Sequence, residues 1–328
     1  MAALTSTMLN LADARKRVDP DDKMATIIEM LAQENAIYQD MPFLEGNLPT
    51  GHRTTVRTSL PSVGYRALNQ GVARSKSTTR QVDFACGILE GRSAVDIELV
   101  NMQPNPAAFR LSEASAFMEA MAQKVALDVF YGNQDTGPKG FTGLAPWFAN
   151  SSQDSWENVV SGGGSGSDNT SMWMVCWGDR TVHGVYPKNT IAGLEHTTKD
   201  NTTVYDSDNN PYDAHEDKFV QRVGLAVRDW RYVVRIPNID VSALVANSSA
   251  ANLIEKLITA YHKIPNMNGV KPVIYCNRTV STALDLQARR DTNVHLMLRE
   301  VQGEFVNSFR GIPIRTVDQL TDTEATVS

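Results

Sequence analysis

Apolar residues recur at helical spacing along "LSEASAFMEAMAQKVALDVFY", where Ala114, Met118, Met121, Val125 and Val129 fall three or four positions apart. That period predicts a helix over 111–131 with these five residues as its core face. At 1.5 Å per residue it is about 30 Å long. Ser112 is placed to cap its start, Glu113 suits the positive N-terminal end, and Gly132-Asn133 supplies the stop. A strict two-residue alternation replaces the helical period in "AVDIELV", where Val95, Ile97 and Leu99 oppose Asp96 and Glu98 as in a half-buried strand. "VGLAVRDWRYVVRIP" alternates over a longer run, with Trp230, Tyr232, Val234 and Ile236 on one face and Pro237 as its close. "SMWMVCW" and "PVIYC" are short apolar runs of the kind that form buried strands. "SAANLIEKLITAYHK" returns to helical spacing through Leu253, Ile254, Leu257, Ile258 and Tyr261. Asn277 caps a helix through Leu286, and "GIPIRTVDQL" reads as a last strand. The pattern is that of an α+β chain.

The first 82 residues differ from this. Residues 1–50 read as an extended arm with a helix begun by Asp19-Pro20, whose apolar face is Ile27, Ile28, Leu31 and Ile37. "DMPFLEGNLPTG" ends that helix. Residues 51–82 are rich in Thr, Ser and Val, with a turn near Asn69–Gly71, and predict a long β-hairpin. The stretch carries Arg53, Arg57, Arg66, Arg74, Lys76 and Arg80 and no acidic residue. It has few large apolar side chains with which to build a core of its own. The sign reverses at once: Asp83, Glu90, Asp96, Glu98, Glu113 and Glu119 face only Arg92 and Arg110 over 83–119.

Composition narrows the class. The 328 residues are 42% hydrophobic and 21% charged, which describes a folded chain with a substantial core. A formal net charge of -6 disfavours a globally basic nucleic-acid binder. The three cysteines, Cys86, Cys176 and Cys276, have no zinc-ligand spacing and read as reduced thiols. The N-terminus lacks the apolar core of a signal peptide, and no apolar run reaches the roughly 18 residues of a membrane span.

No catalytic motif is complete in the sequence. "VVSGGGSGSDNTSMW" invites a phosphate, but no lysine follows its glycines as a P-loop requires. Gly164 and Gly166 are followed three positions on by Asn169, which breaks the dinucleotide fingerprint. Residues 159–171 therefore read as a flexible tether, with Gly162, Gly163, Gly164 and Gly166 as a candidate hinge. "DSDNNPYDAHED" places Asp206, Asp208, Asn210 and Asp217 like a calcium loop, but Pro211 stands where a glycine is needed, so a polar hairpin turn is the reading. The six histidines form no metal-binding pair. No catalytic, cofactor-binding or metal-binding residue is assigned, and no cofactor is expected.

An arm, a basic extended loop, a long helix and an α/β region, in that order, resemble the major capsid proteins of tailed bacteriophages with the HK97-type fold. "DPDDKMATIIEMLAQENAIYQDMPF", "LPSVGYRALNQGV", "MEAMAQKVALDVFYGN", "FTGLAPWF" and above all "VGLAVRDWRYVVRIPNID" are similar to the gp7-like branch of short-tailed phages. The resemblance implies an α+β, HK97-like capsid fold. Its parts would be an N-terminal arm (1–50), an E-loop hairpin (51–92) and a peripheral domain (93–158) with its spine helix at 111–131. A mainly axial α/β domain (159–304) and a C-terminal strand and tail (305–328) would follow. It implies self-assembly into hexamers and pentamers of an icosahedral shell around double-stranded DNA, with the E-loop cations reaching a neighbouring copy. Scaffolding, portal and decoration proteins are the expected partners, with non-specific genome contact on the inner face and no membrane. The chain would be made in the host bacterial cytoplasm. Because it begins at Met1 with no preceding scaffold region, the scaffold is expected to be a separate protein. The other classes are an encapsulin-like cargo cage, which shares this fold, and a soluble α/β enzyme.

Overall fold

The computed structural model describes residues 35–206, 208–246, 252–290, 296–301 and 304–328. The helix expected from Asp19-Pro20 lies outside them except for its end, where Ile37–Asp40 is helical and Ile37 is fully buried. The first half of the chain supplies α1 (Ile37–Asp40), β1 (Phe43–Glu45), β2 (Gly51–Ser59), β3 (Thr78–Asp96), α2 (Ile97–Asn101) and α3 (Pro106–Tyr131). Next come β4 (Asn169–Trp177), β5 (Val182–Tyr186), β6 (Leu194–Tyr205), β7 (Pro211–Val227) and β8 (Val233–Asp240). The last third holds α4 (Val241–Ala246), α5 (Leu253–Lys263), β9 (Lys271–Cys276), α6 (Arg278–Arg290), β10 (Leu296–Val301), β11 (Glu304–Phe309) and β12 (Ile312–Thr316).

The strands join in the order β10-β11-β12-β9-β4-β5-β7-β3-β2, with β1 on β5, β6 on β7 and β8 on β4. Every residue of β4 is buried, because the sheet there is covered on both faces. Trp173, Val175 and Trp177 point into one core with Tyr275, Phe148 and the C-terminal half of α3. Met172, Met174 and Cys176 point into a second core built from α4, α5 and α6. Phe130 of α3 meets Trp173 and Tyr275 at ring-centroid distances of 6.0 and 5.8 Å. Strands β6 and β7 extend the β3 edge instead, and Phe219 of β7 packs with Ala114 and Met121 of α3. Residues 194–227 are thus joined to the spine helix and the hairpin strand.

Three elements differ from the sequence expectation. The helix begins at Pro106, five residues early, because Asn105 caps it by accepting from the Ala108 amide; Ser112 instead donates to the Phe109 carbonyl. Ala114, Met121, Val125 and Val129 are buried, but Met118 is 41% exposed. Phe117 takes its place, stacking on Phe219 at 5.6 Å, since the sheet covers only that side of the helix. "AVDIELV" is strand only to Asp96, whose side chain accepts from the Glu98 amide and starts α2. The long strand through Trp230 is broken. Asp229 accepts from the Arg231 amide and turns the chain, and β8 then runs through Pro237 at an irregular stretch of its ladder. Tyr232, Val234 and Ile236 share the second core as expected, and only Trp230 leaves that face, packing on the first core.

The glycine run is a further correction. It lies along β8: Val160, Gly162 and Gly164 donate to the carbonyls of Arg235, Pro237 and Asn238 at 2.9, 2.7 and 2.8 Å. A Cβ on Gly162 would sit 2.5 Å from the Asn238 oxygen. Glycine serves close backbone approach here, not slack. Gly163 alone uses the left-handed freedom, with φ 94°.

The C-terminal segment closes over this ribbon. Asn238 exchanges two hydrogen bonds with the Val327 backbone, at 2.8 and 2.9 Å. Glu324 is buried and pairs with Arg235 at 2.9 Å, while Tyr131 and Ser171 donate to its carboxylate. Arg235 also donates to the Phe148 carbonyl at 3.1 Å and lies over the Trp173 ring at 5.0 Å. Elsewhere in the fold, His52 of β2 meets His183 of β5 with ring centroids 6.0 Å apart. Both His52 nitrogens and Nδ1 of His183 lack hydrogen-bond partners among the described residues. Burial, then the Arg228 cation and His52, hold the His183 pKa down at about 4, with Asp179 only partly opposing.

Glu324→Ala strands Arg235 in the interior. It is expected to cost about 3–5 kcal/mol, read as a lower urea midpoint of unassembled subunits. His183 is neutral when folded, whereas an unfolded histidine titrates near 6.5. The unfolded chain therefore binds more protons, and the His183 contribution is fully present above about pH 6.5 and lost toward pH 4. The urea midpoint of His183→Gln should accordingly fall less steeply across that window than that of the wild type.

Candidate functional site

The basic stretch folds as a hairpin rooted in the body. β2 pairs antiparallel with the first half of β3, from Gly51 opposite Ala85 to Ser59 opposite Thr78. At the root, Asn47 holds Arg53 through two backbone hydrogen bonds of 2.8 and 2.7 Å, and Phe84 is buried in the first core. Beyond Ser59 the ladder stops. Ser75 Oγ donates to the Ser62 carbonyl at 2.8 Å across the two arms, and a turn closes from Ala67 to Gln70 with Asn69 at φ 64°. The predicted turn at Asn69 is where the chain reverses.

The six candidate cations are not equivalent. Arg53 forms a two-pronged pair with Asp83, both contacts 2.6 Å, which holds the Asp83 carboxyl below its ordinary range and raises Arg53. Arg57, Arg66, Arg74, Lys76 and Arg80 are exposed and make no ion pair among the described residues. The tip also exposes Leu60 (76%), Val63 (90%), Tyr65, Leu68 (90%) and Val72. These side chains have no core behind them, so the tip combines unneutralised charge with unburied apolar area. Reading the sequence by charge found the cations but missed the Arg53–Asp83 pair. A hairpin folded about Leu68 places residue 53 opposite residue 83, so the signal was present in the spacing.

Outward from the helix, Ala107, Leu111, Ser115 and Met118 form an exposed uncharged stripe on α3. Its N-terminal end is fixed by Arg110, which pairs with Asp217 of β7 at 3.0 Å, while Thr198 of β6 donates to the same carboxylate at 2.9 Å.

The chemistry of catalysis is not assembled. Burial pushes the thiol of Cys86 up to about 11 and those of Cys176 and Cys276 up to about 12, so none is a thiolate at neutral pH. Among the described residues no group of three His, Cys, Asp or Glu is placed to hold a metal ion. Between β6 and β7, Asp206 accepts from the amides of Asp208 and Asn210. No helix among the described residues is long and apolar enough to cross a membrane.

Comparison with known proteins places this architecture. A family model described as major capsid protein GP7 matches residues 19–328. No curated protein matches. A chain of the bacteriophage Epsilon15 structure is 36% identical, with a TM-score of 0.77 over 100% of this chain and 99% of that one. The capsid of bacteriophage JBD30 superposes with a TM-score of 0.50 over 97% of this chain and 96% of that chain at 8% identity, a likeness of fold. An encapsulin from Synechococcus elongatus PCC 7942 overlaps 70% of this chain and 95% of its own at 9% identity and a TM-score of 0.46, too distant to favour a cargo cage. The architecture is the HK97-like capsid fold, and the protein is a structural component of a virion shell built from copies of itself, not an enzyme. Matched along nearly its whole length, the chain belongs to the major capsid protein GP7 family.

Proposed function

We propose that the basic hairpin lies across a neighbouring copy and fixes the register of hexamers and pentamers in a closed icosahedral shell around double-stranded DNA. The observation that carries this is the tip itself. Leu60, Val63 and Leu68 are largely exposed near Arg66, Arg74 and Lys76, which make no ion pair among the described residues. Burying each of these aliphatic side chains on a neighbour contributes about 1.5–3 kcal/mol before the costs of ordering. The cations favour an acidic surface and disfavour a misplaced one. The uncharged α3 stripe at Ala107, Leu111, Ser115 and Met118 is a suitable apolar floor.

In this reading α3, β3, β6 and β7 form the peripheral part of the subunit. The sheet around β4 with α4, α5 and α6 forms the axial part that meets its copies at capsomer centres. Scaffolding and portal proteins guide closure, decoration proteins are a further class of partner, and the inner face touches packaged DNA without sequence preference. The subunit is made in the cytoplasm of the host bacterium.

Arg66→Glu combined with Arg74→Glu should lower particle yield at least about tenfold, the equivalent of ~1.4 kcal/mol in one interface. The variant subunits should remain soluble, with an unchanged urea midpoint. Normal particles from this double variant in electron micrographs would sink the proposal.

A further inference from the structure

The hairpin stem is seated on the body along one face of β2. Among the described residues β2 is paired as a strand with β3 alone. Residues 52 and 54 point to one side of it, and there two side-chain contacts reach the body. His52 meets His183 of β5 at a ring-centroid distance of 6.0 Å, with the ring planes at 74°. Thr54 is buried and accepts from Arg228 Nε at 3.1 Å, just past the end of β7. Arg228 in turn donates to the Asp179 carbonyl at 2.9 Å and lies 3.7 Å from the Asp179 carboxylate.

The surroundings of the two rings disfavour a proton. His183 is 1% exposed and His52 is half-buried. Burial first, and then the Arg228 cation, hold both rings below the ordinary histidine range, and His52 lowers His183 further. Asp179 opposes these effects, but its carboxylate is 72% exposed and is shared with Arg228. The remaining neighbours supply no balancing charge. Phe84 stands opposite His52 on β3, and Phe43 and Met41 pack against Gly184. Arg53 and Asp83, on the other face of the stem, are committed to each other.

Protonation would therefore set imidazolium charge beside a guanidinium, with one exposed carboxylate to balance it. Like charges this close repel, the more so where water is excluded. The repulsion acts across the seam between β2 and the ends of β5 and β7, where no backbone ladder of β2 resists it. The centre of the body is built differently: β4 is laddered to β8 on one edge and β9 on the other.

We infer that the His52–His183 contact is an acid-sensitive joint: neutral, it seats the hairpin stem on β5; protonated, it frees β2 from the body while both cores stay folded. Opening exposes the rings, and a solvated histidine titrates near 6.5. The open form binds more protons, so the seated form is fully favoured above about pH 6.5 and loses ground toward pH 4. The bearing of the joint on assembly rests on the proposed role of the hairpin. The joint itself is measured on unassembled subunits, so the two readings fail separately.

The test is the distance between two nitroxide labels on the unassembled full chain, one at Thr55→Cys on the exposed side of β2 and one at Ser152→Cys on the body. Cys86→Ser serves as background, because Cys176 and Cys276 are buried. Between about pH 7.5 and pH 4.5 the share of subunits at a displaced distance should rise at least about tenfold, and return on neutralisation. Near-UV circular dichroism should be unchanged, since all five tryptophans lie outside the hairpin. Adding His52→Gln with His183→Gln should leave one distance at both pH values. Should that variant not fold, His52→Gln alone removes one of the two charges and should lower the midpoint of opening by about half a pH unit or more. One unchanged distance in the parent at both pH values would overturn the inference. So would loss of the near-UV signal in step with the displacement, or histidine variants that open at the parent's midpoint.

Discussion

The buried pair between Arg235 and Glu324 ties together four stretches of chain that are far apart in sequence. Arg235 lies on β8, Glu324 in the C-terminal segment, Tyr131 at the end of the spine helix and Ser171 on β4. Both charges are removed from water, so the pair tolerates no missing partner. Its geometry answers that demand: three donors reach the carboxylate, and the guanidinium satisfies a carbonyl and a ring face besides. Where the pair sits, the glycine ribbon, the helix end and the last residues of the chain are locked to the one strand group that faces both cores.

The hairpin obeys the opposite rule. Its root is held by Asn47, Phe84 and the Arg53–Asp83 pair, while its tip has charge without counter-charge and aliphatic side chains without a core. The charged pair at the centre of the body is fully partnered, whereas the hairpin tip is not. This division suits a capsid subunit. Folding must precede assembly, so the body cannot depend on neighbours; closure must sum many modest contacts, so the contacts lie on projections.

Much of this was legible in the sequence where one physical effect dominates. The α3 period, the buried runs of β4 and β9, the Asn277 cap and the turn at Asn69 each follow from local patterning, and the charge block over 51–82 marked the hairpin. What the sequence concealed were places where two effects compete. Asn105-Pro106 is a stronger helix start than Ser112, but the apolar stripe begins later and drew the boundary inward. Met118 keeps the helical period, yet only one side of the helix meets the sheet. The alternation through Trp230 and Tyr232 was genuine; the side chain of Asp229 overrode it by turning the backbone. The glycine run looked slack because flexibility and close approach select the same residue, and only the β8 carbonyls distinguish them. Glu324 gave no signal, since a lone acidic residue near a chain end is ordinarily solvated.

The exposed hairpin is proposed as an assembly element, and electron cryo-microscopy of particles formed by the purified protein tests this most directly. Closed shells are expected in which density for residues 60–77 rests on an adjacent subunit, with Leu60, Val63 and Leu68 removed from solvent. Closed shells in which that segment projects freely into solvent, touching no neighbour, would contradict it.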